Sequence, residues 1–436
     1  MRSRTPKVLH PVCGEAIIGL VLDAARAAHF ESTVVVVGPD SHSIRETLGD
    51  SVGYAVQREP LGTAHALLQA RPLLQRVDTV AVIHGDVPLI RPETLRSMLR
   101  RHAEREACIT LLTASVADAD DLGRIVRDGN GSITAIVEDS EADEETRTIT
   151  EVNGGAYCIS AAWLWPSLES LAPSPGGELY LTDLVSAAAR QGMTVASFET
   201  KDQDEVLGIN TRVQLAMAEA ALRRRIRERW MLSGVTMPDP ASVYIDAGVE
   251  LGRDTVVLPN THIRGTSRIG RECEIGPNTI VEGSQVADRC KIVASVVEDA
   301  TLEDDVTVGP FGHLRPGSFL EKGVHIGNFA EVTRSRLGRG SRSGHFSYIG
   351  DAEVGVNVNI GAGTVTCNYD GNAKHTTRIE DEALIGSASM LVAPVRIGAR
   401  AATGAGAVVT RDVPPDQVAV GVPARSRPKK TQRSQE

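Results

Sequence analysis

A six-residue repeat in the second half of the chain constrains its fold more than any other feature. From about Val243 onward, an aliphatic residue followed by glycine recurs at separations that are multiples of six: 269 to 275, 308 to 326, 337 to 349 and 385 to 397. This register predicts a left-handed parallel β-helix of hexapeptide repeats, in which each aliphatic side chain points into a narrow prism and each glycine turns the chain. Aromatic residues make up only 3% of the sequence, as expected for a prism too narrow for large rings.

One break in the repeat is as informative as the repeat itself. The interval from Ile360 to Ile385 is 25 residues, which exceeds four hexapeptides by one. The extra length predicts a loop at residues 366–377 that leaves the regular coil. Loops carried by a rigid scaffold often bind or catalyse, so this segment is a candidate for function.

The first half of the chain alternates β-branched runs, at 33–37 and 79–83, with helical stretches, at 17–28 and 93–105. This alternation predicts an α/β Rossmann-like domain with a mainly parallel, doubly wound sheet. Residues 211–232 contain no glycine or proline and repeat apolar positions every three or four residues, which indicates one long connecting helix. The predicted organisation is an α/β domain at 1–210, a linker helix at 211–235, a β-helix at 236–424 and a polar, disordered tail at 425–436.

Charge and composition exclude several classes of protein. The chain has 46 Lys and Arg against 56 Asp and Glu, a net charge of -10, so nucleic acid is not an expected partner. It has no run of 18 apolar residues and no secretory signal pattern, which predicts no membrane insertion and a cytoplasmic location. Its six cysteines are scattered without a Cys-x-x-Cys pair, which favours reduced, mostly buried thiols over zinc ligands or disulfides.

Two groups of motifs resemble the two halves of one bacterial enzyme family, the N-acetylglucosamine-1-phosphate uridylyltransferase / glucosamine-1-phosphate N-acetyltransferases. The uridylyltransferase half is similar at 6–10 (PKVLH), 61–66 (LGTAHA), 85–89 (GDVPL) and 208–210 (GIN). The acetyltransferase half is similar at 311–317 (FGHLRPG), 326–329 (IGNF), 344–345 (GH), 348–352 (YIGDA), 359–364 (NIGAGT) and 368–371 (NYDG). The resemblance covers nearly the whole chain. It implies synthesis of UDP-N-acetylglucosamine for peptidoglycan by a cytoplasmic homotrimer that uses UTP, acetyl-CoA, sugar phosphates and Mg²⁺.

In the α/β domain, the resemblance implies a site where a sugar 1-phosphate attacks UTP. It assigns phosphate contacts to Lys7, uracil contacts to Gln57, Gly62 and Thr63, sugar contacts to Gly123, Glu138 and Asn153, and Mg²⁺ to Asp86 and Asn210, with Asn210 also contacting substrate. Asp86 supports this independently because it follows an apolar strand, at an edge where open α/β sheets bind ligands. For a lone aspartate there, a helix cap or turn is the alternative.

In the β-helix, the resemblance implies His345 as the general base for acetyl transfer from acetyl-CoA to glucosamine 1-phosphate. An imidazole suits this role near neutral pH, and the alternative for a single histidine on a β-helix is a plain surface residue. The resemblance assigns sugar phosphate contacts to Arg315, Thr333, Tyr348 and Asn359. It assigns acetyl-CoA contacts to Ala362, Asn368, Tyr369, Ser387 and Ala405. For Ala362 and Ala405 taken alone, packing is the simpler interpretation.

The sequence departs from the family pattern at three places. Family members open with a strand and a glycine-rich loop that binds triphosphate, and residues 1–5 do not replace it, so we expect an N-terminally truncated domain that transfers uridylyl poorly. Thr333 stands where the family has a phosphate-binding lysine, and Arg334 is expected to face the opposite side, as neighbours in a strand do. This predicts weak sugar phosphate binding. Residues 418–423 also lack the family's CoA-contacting basic residue.

Three interpretations of function stay open from the sequence. The first is a bifunctional acetyltransferase and uridylyltransferase whose recorded start is internal. The second is an acetyltransferase whose first domain is only a scaffold. The third is a β-helix partner protein without enzymatic activity, against which the set of His345, Tyr348 and the Asn368-Tyr369 pair argues.

Overall fold

The computed structural model describes residues 1–117, 119, 122–174 and 177–428. The chain divides into two compact units, Met1–Leu222 and Arg223–Glu436. The boundary falls inside the helix that the sequence predicts as a linker. The predicted fold class, an α/β nucleotidyltransferase-like domain followed by a left-handed parallel β-helix of hexapeptide repeats, is confirmed.

The first unit contains ten strands and eight helices in the residues described, the last helix running into the second unit. The strands are β1 (Pro11–Val12), β2 (Glu15–Ala16), β3 (Val34–Val37), β4 (Gly53–Val56), β5 (Thr79–Ile83), β6 (Ile109–Ser115), β7 (Arg124–Arg127), β8 (Ile133–Val137), β9 (Glu151–Ser160) and β10 (Val195–Glu199). The helices are α1 (Ile17–Ala27), α2 (His42–Leu48), α3 (Thr63–Ala70), α4 (Pro92–Glu104), α5 (Glu144–Arg147), α6 (Ala161–Glu169), α7 (Asp183–Arg190) and α8 (Arg212–Leu232).

The helices follow from the spacing of their apolar residues. In α1, Ile17, Ile18, Val21 and Leu22 are buried along one side, because positions three and four apart share a helix face. Helix α4 begins at Pro92, whose fixed φ suits the first helical position. Both helices lie within two residues of their predicted bounds.

The sheet of this unit is mixed rather than mainly parallel, so that part of the prediction is wrong. The central strand β9 runs antiparallel to β5, β6 and β7, whereas β10 pairs with β6 in parallel. β8 and β9 flank β7 and both run antiparallel to it, so the connection through α5 carries the chain across β7 and returns it in the direction of β8.

The sheet is also interrupted between β3 and β5. In the pairing of the residues described, β3 joins only β4, and β5 joins only β9. A cavity of about 810 Å³ lies between the facing edges of β3 and β5, lined further by apolar side chains of α1 and α3. Strand edges without partners and a void without packing atoms both reduce stability.

The second unit is a three-sided β-helix in which each face is one sheet of short strands. Face one contains Tyr244–Ile245, His262–Arg264, Ile280–Glu282, Val296–Glu298, His313–Leu314, Ala330–Thr333, Ser347–Gly350, Val365–Cys367, Met390–Val392 and Val408–Val409. Face two contains Glu250–Leu251, Arg268–Ile269, Gln285–Val286, Thr301–Leu302, Phe319–Leu320, Arg336–Leu337, Ala352–Val354, Thr377–Ile379 and Val395–Ile397. Face three contains Val256–Val257, Glu274–Ile275, Lys291–Ile292, Thr307–Val308, His325–Ile326, Arg342–Ser343, Asn359–Ile360, Leu384–Ile385, Ala402–Thr403, Gln417–Gly421 and Ala424–Pro428.

Most of the repeat glycines have a different role from the predicted one, although Gly276 and Gly309 do have a positive φ, +107 and +104. Those at Gly252, Gly327 and Gly338 do not have a positive φ. A Cβ at Gly252 would instead lie 2.4 Å from the carbonyl oxygen of Gly270 in the next coil, and one at Gly327 would lie 2.1 Å from that of Gly344. Glycine is therefore required because stacked coils approach too closely for a side chain.

The predicted loop is confirmed, and the predicted tail is partly wrong. Between the strands Val365–Cys367 and Thr377–Ile379 the chain leaves the coil, as the 25-residue interval predicts. The tail was expected to be disordered from residue 425, but Ala424–Pro428 pairs antiparallel with Gln417–Gly421 because its extended residues continue the last sheet. Residues 429–436 lie outside those described.

The cysteines agree with the expectation from composition. All six cysteines are free thiols, and five of them are buried. Within the residues described, no helix is both long and apolar enough to cross a membrane.

We predict that the first unit opens before the β-helix, because its sheet is interrupted by the cavity while the coils of the β-helix are continuous. Hydrogen exchange read by mass spectrometry should find the amides of β3 and β5 exchanging faster than those of the β-helix strands His325–Ile326 and Leu384–Ile385, which pair on both sides. Equal protection of β5 and these strands in mild urea would contradict the prediction.

Candidate active sites

Lys7, Asp86 and Asn210 meet at the carboxyl end of β5. The Lys7 ammonium lies 2.5 Å from Asp86 Oδ2 and 2.9 Å from Asn210 Oδ1. The two loops that carry the oxygens are tied together, since the Ile209 amide donates to the Asp86 carbonyl oxygen at 3.0 Å. Three residues from distant parts of the chain, all predicted as site residues, therefore form one cluster.

This cluster fits a hard divalent cation. Its carboxylate and amide oxygens face a common point, since both contact the Lys7 ammonium. No group of three or more His, Cys, Asp or Glu in the described part of the chain could hold a metal alone. A cation here would complete its shell with water and substrate oxygens, as magnesium commonly does.

The predicted uracil residues surround the start of α3. Gln57 donates through Nε2 to the Gly62 carbonyl oxygen at 3.0 Å, and its Nε2 lies 3.0 Å from His65 Nδ1. Thr63 accepts a hydrogen bond from the Leu181 amide at 2.9 Å. Gly62 has φ +102, and a Cβ there would lie 2.4 Å from the Leu179 carbonyl oxygen, so only glycine fits this turn.

The predicted sugar residues also come together. The backbone amide of Asn153 donates to the Gly123 carbonyl oxygen at 2.8 Å. A Cβ on Gly123 would lie 3.6 Å from Glu138 Oε2. Glu138 accepts a hydrogen bond from the Thr182 hydroxyl at 2.9 Å, and Asn153 Nδ2 donates to the Tyr157 hydroxyl at 2.6 Å. These contacts fix the side chains of Glu138 and Asn153 close to Gly123.

His84 is a candidate that the sequence analysis missed. It lines the cavity beside β5, and its Nε2 is buried without a hydrogen-bond partner. Burial lowers the pKa of His84, while the charges of Asp86 and Glu138 act in the opposite direction. A polar residue at the end of an apolar strand, two positions before Asp86, was the available signal.

In the β-helix, His345 belongs to a straight column of residues. It follows Ser343 on face three, and Ser343 pairs with Ile360 of the next coil, which pairs with Ile385. The residues two positions after the strands of successive coils therefore stack at the spacing of paired strands, about 4.8 Å. That column contains His345 and three of the predicted acetyl-CoA residues: Ala362, Ser387 and Ala405.

The side chains in this column leave its outer side open. His345, Ser387 and Ala405 are exposed, and Ala362 is partly exposed. Backbone hydrogen bonds hold the column, since the Ala388 amide donates to the Ala362 carbonyl oxygen at 2.6 Å and the Gly406 amide to that of Ser387 at 2.8 Å. The result is an exposed row of small residues in line with one imidazole.

The predicted sugar phosphate residues flank the corner that carries His345. Tyr348 lies on face one and is in register with Glu331 of the preceding coil. Glu331 accepts a hydrogen bond from Arg315 Nη1 at 2.9 Å. Asn359 is exposed on face three, in register with Arg342. The residues that the resemblance assigns to one ligand thus lie on two faces that meet near His345.

The extra loop joins this region through Asn368. Its Nδ2 donates to Asp351 and lies 3.4 Å from the Tyr348 hydroxyl. Tyr369 is exposed, and its hydroxyl donates to the Gly371 carbonyl oxygen at 2.6 Å. At the far end of the loop, His375 Nε2 lies 2.6 Å from Asp370 Oδ2. Hydrogen bonds from the Ala373 backbone amide and from His375 hold the pKa of Asp370 well below its usual range.

The expected orientation of Arg334 is wrong. Arg334 has φ +45, so the chain has already left the strand Ala330–Thr333 at this residue. Its side chain turns back, and Nη1 donates to the Thr333 hydroxyl at 3.2 Å. Neighbouring side chains face opposite sides only while the backbone stays extended, and that condition fails here.

A column of exposed phenylalanines is the second feature that the sequence analysis missed. Phe311, Phe329 and Phe346 are 57%, 64% and 61% exposed. The rings of Phe311 and Phe329 stack with centroids 5.0 Å apart, and Phe346 directly follows His345 in the next coil. The chain has only six phenylalanines, so the exposure of three at one corner forms an apolar patch of the kind that interaction surfaces carry.

Comparisons with known proteins find a family model that matches the first unit and relatives that match both units. The Nucleotidyl transferase family model matches residues 2–231. The Bifunctional protein GlmU of Heliobacterium modesticaldum is 47% identical over 422 residues, covering 96% of this chain and 92% of the relative. That of a Geobacillus species is 44% identical over 429 residues, covering 98% and 93%. A solved UDP-glucose pyrophosphorylase complexed with UDP-glucose aligns with 50% of this chain at a TM-score of 0.42 and 19% identity.

An α/β nucleotidyltransferase unit and a hexapeptide β-helix with its own candidate site define a transferase with two active sites. The extent and level of identity to the relatives identify it further. The chain belongs to the GlmU family of bifunctional acetyltransferases and uridylyltransferases, the enzymes of UDP-N-acetylglucosamine synthesis, and the resemblance drawn from the motifs is confirmed.

Proposed function

We propose that this chain makes UDP-N-acetylglucosamine at two separate sites, in the cytoplasm, as a precursor for peptidoglycan. The β-helix unit transfers an acetyl group from acetyl-CoA to glucosamine 1-phosphate. The α/β unit transfers a uridylyl group from UTP to the acetylated sugar phosphate. The observation that carries the proposal is the column in which small residues lead to His345.

In acetyl transfer, the amine of the sugar must lose a proton as it attacks the thioester carbonyl. His345 accepts that proton, the new amide bond forms, and the bond to sulfur breaks to release CoA. Ala362, Ser387 and Ala405 offer no large side chain, so the narrow arm of the coenzyme can lie along the column toward His345. Exposure of His345 lets both substrates reach the imidazole.

Arg315, Tyr348 and Asn359 orient the sugar phosphate: Tyr348 and Asn359 lie on the two faces beside His345, and Arg315 stands at the far end of face one. A guanidinium presents paired N–H donors that match phosphate oxygens. The Tyr348 hydroxyl and the Asn359 amide add hydrogen-bonding groups on the two faces beside His345. The amine is thereby held toward the imidazole rather than toward solvent.

For uridylyl transfer, this chain's residues bind and orient two phosphate-bearing substrates, UTP and the sugar phosphate. Lys7, which contacts Asp86 and Asn210, supplies a positive charge for phosphate. Gln57 and Gly62 supply polar groups for a base, and Glu138 and Asn153 supply them for a sugar. Mg²⁺ is the cation that we assign to Asp86 and Asn210, where it would neutralise charge on the reacting phosphates. Positioning and charge neutralisation suffice for this reaction class.

We expect His345→Ala to lower acetyl transfer about 10²- to 10⁴-fold, mainly in kcat, because one positioned base contributes about that much. CoA release from acetyl-CoA and glucosamine 1-phosphate, followed by thiol titration, measures it. His313→Ala, which removes an outward-facing histidine from the same β-helix, is the matched control. Unchanged kcat in His345→Ala would refute the assignment, and no CoA release by the wild type would favour the interpretation of a β-helix partner protein without enzymatic activity.

We predict that uridylyl transfer by the 436-residue chain is much slower than its acetyl transfer. The only cation contacting Asp86 and Asn210 in the residues described is Lys7, whereas a triphosphate needs several donors. The assay is UDP-N-acetylglucosamine formation from UTP, Mg²⁺ and N-acetylglucosamine 1-phosphate, with acetyl transfer by the same preparation as the reference. Comparable rates at the two sites would contradict the prediction.

We also propose that the β-helix forms a homotrimer through the phenylalanine column. Three exposed rings at one corner supply the apolar contact that a stable interface needs. They stand next to His345, so that a second copy of the chain would cover the open side of the site. A flat-faced prism suits such side-by-side packing with closed symmetry.

We expect the wild type to have about three times the chain mass of 46.4 kDa in light scattering. Phe329→Asn should shift this toward the monomer, because asparagine tolerates the positive φ of residue 329 while removing the ring. Phe319→Thr, on face two, is the control and should leave the mass unchanged. A wild-type monomer at micromolar concentration would overturn the proposal.

A further inference from the structure

Arg334 stands beside the turn that carries Arg315, one coil further along. Its amide donates to the Pro316 carbonyl oxygen at 3.3 Å. A Cβ on Gly317 would lie 3.3 Å from the Arg334 Cα and 3.4 Å from its Cγ. The two arginines therefore occupy the same corner of adjacent coils, at the end of face one.

The guanidinium of Arg334 is held in one orientation. Nε and Nη2 donate to the two carboxylate oxygens of Asp351, at 2.7 and 2.9 Å, and Nη1 donates to the Thr333 hydroxyl. The Arg334 guanidinium in turn lowers the pKa of Asp351. A guanidinium fixed in this way loses little further freedom when it binds a ligand.

This orientation places the Arg334 guanidinium among residues that are already assigned to the substrates of acetyl transfer. Asp351 accepts a hydrogen bond from Asn368, and Asn368 lies 3.4 Å from the Tyr348 hydroxyl. The charge of Arg334 also interacts with Tyr348. The guanidinium is thus connected to both the sugar phosphate residues and the extra loop.

Two properties of the Arg334 guanidinium suit it to bind phosphate in addition to forming its ion pair with Asp351. The terminal nitrogens each carry a second N–H beyond those that contact Asp351 and Thr333. The side chain is 42% exposed, so these donors can be reached from solvent. Thr333 itself is buried and uncharged, so it brings no positive charge to the corner.

We propose that Arg334 binds the phosphate of the sugar substrate in the acetyl-transfer site, in partnership with Arg315. The proposal rests on the proposed function. It replaces the expectation that Thr333 leaves this site without a second cation. Asp351 acts as the positioning residue, because it orients the guanidinium without itself contacting the phosphate.

The test compares Arg334→Gln, Arg334→Lys and the control Arg336→Gln in the full chain. Arg336 lies two residues further along, on face two, and pairs with Glu321. Steady-state acetyl transfer gives KM for glucosamine 1-phosphate, KM for acetyl-CoA and kcat. Glucosamine, which lacks the phosphate, serves as a second acceptor.

Loss of a hydrogen-bonded charge should raise the KM for glucosamine 1-phosphate about 10- to 100-fold in Arg334→Gln. KM for acetyl-CoA and the reaction of glucosamine should stay within about twofold of the wild type. The KM for glucosamine 1-phosphate in Arg334→Lys should fall between those of the wild type and Arg334→Gln. Arg336→Gln should have the KM of the wild type. An unchanged KM for the sugar phosphate in Arg334→Gln would overturn the proposal, as would an equal loss with both acceptors, which indicates a structural role.

A binding measurement separates this proposal from the proposed function. If the wild type transfers no acetyl group, calorimetry with glucosamine 1-phosphate still compares wild type, Arg334→Lys and Arg336→Gln. Weaker binding in Arg334→Lys alone would support a phosphate site on a protein that is not an acetyltransferase. Equal binding in all three would refute the role of Arg334, and melting temperatures establish that each variant is folded.

Discussion

Close stacking of successive coils is the constraint on which the β-helix and its site depend. Aliphatic side chains such as Ile326 and Ile360 fill the prism, and the backbones at the corners approach so closely that Gly327 cannot carry a Cβ. Backbone pairing between coils then sets every residue directly above its counterpart. Because the register is fixed by hydrogen bonds rather than by side-chain contacts, exposed corner residues can vary freely. His345 and the small residues above it occupy such corner positions, where chemistry is added without cost to the core.

The sequence predicted the β-helix well because its signal is local and repeated. An inward aliphatic residue every six positions, with glycine after it, specifies the prism without knowledge of any distant contact. The extra loop followed from a single break in that count. The mixed sheet of the first unit was not predictable in the same way. Whether β9 runs parallel or antiparallel depends on which strand it meets, and its own residues, buried on both faces, suit either direction.

The sites show the same division between local and distant information. Motifs indicated Lys7, Asp86 and Asn210, but only the fold reveals that the lysine ammonium lies between the two oxygens. The error over Arg334 came from assuming that the strand continues for one more residue. A single change of backbone conformation, to φ +45, moved that guanidinium to the other side of the chain. The phenylalanine column required the register between coils, because its members are 17 or 18 residues apart and form no motif.

The column that begins at His345 also fixes the distances between the residues that it contains. Ala405 stands three coils above the imidazole, which at about 4.8 Å per coil is roughly 14 Å. That distance cannot be adjusted gradually, because residues added to or removed from a coil are taken up outside the paired strands, as intervals of 17, 18 and 25 residues show, and leave the strand spacing unchanged. It changes only by whole coils, in steps of about 4.8 Å. The column therefore offers small residues at fixed steps of about 4.8 Å from the imidazole, and the size of the step is set by the pairing of strands rather than by the side chains.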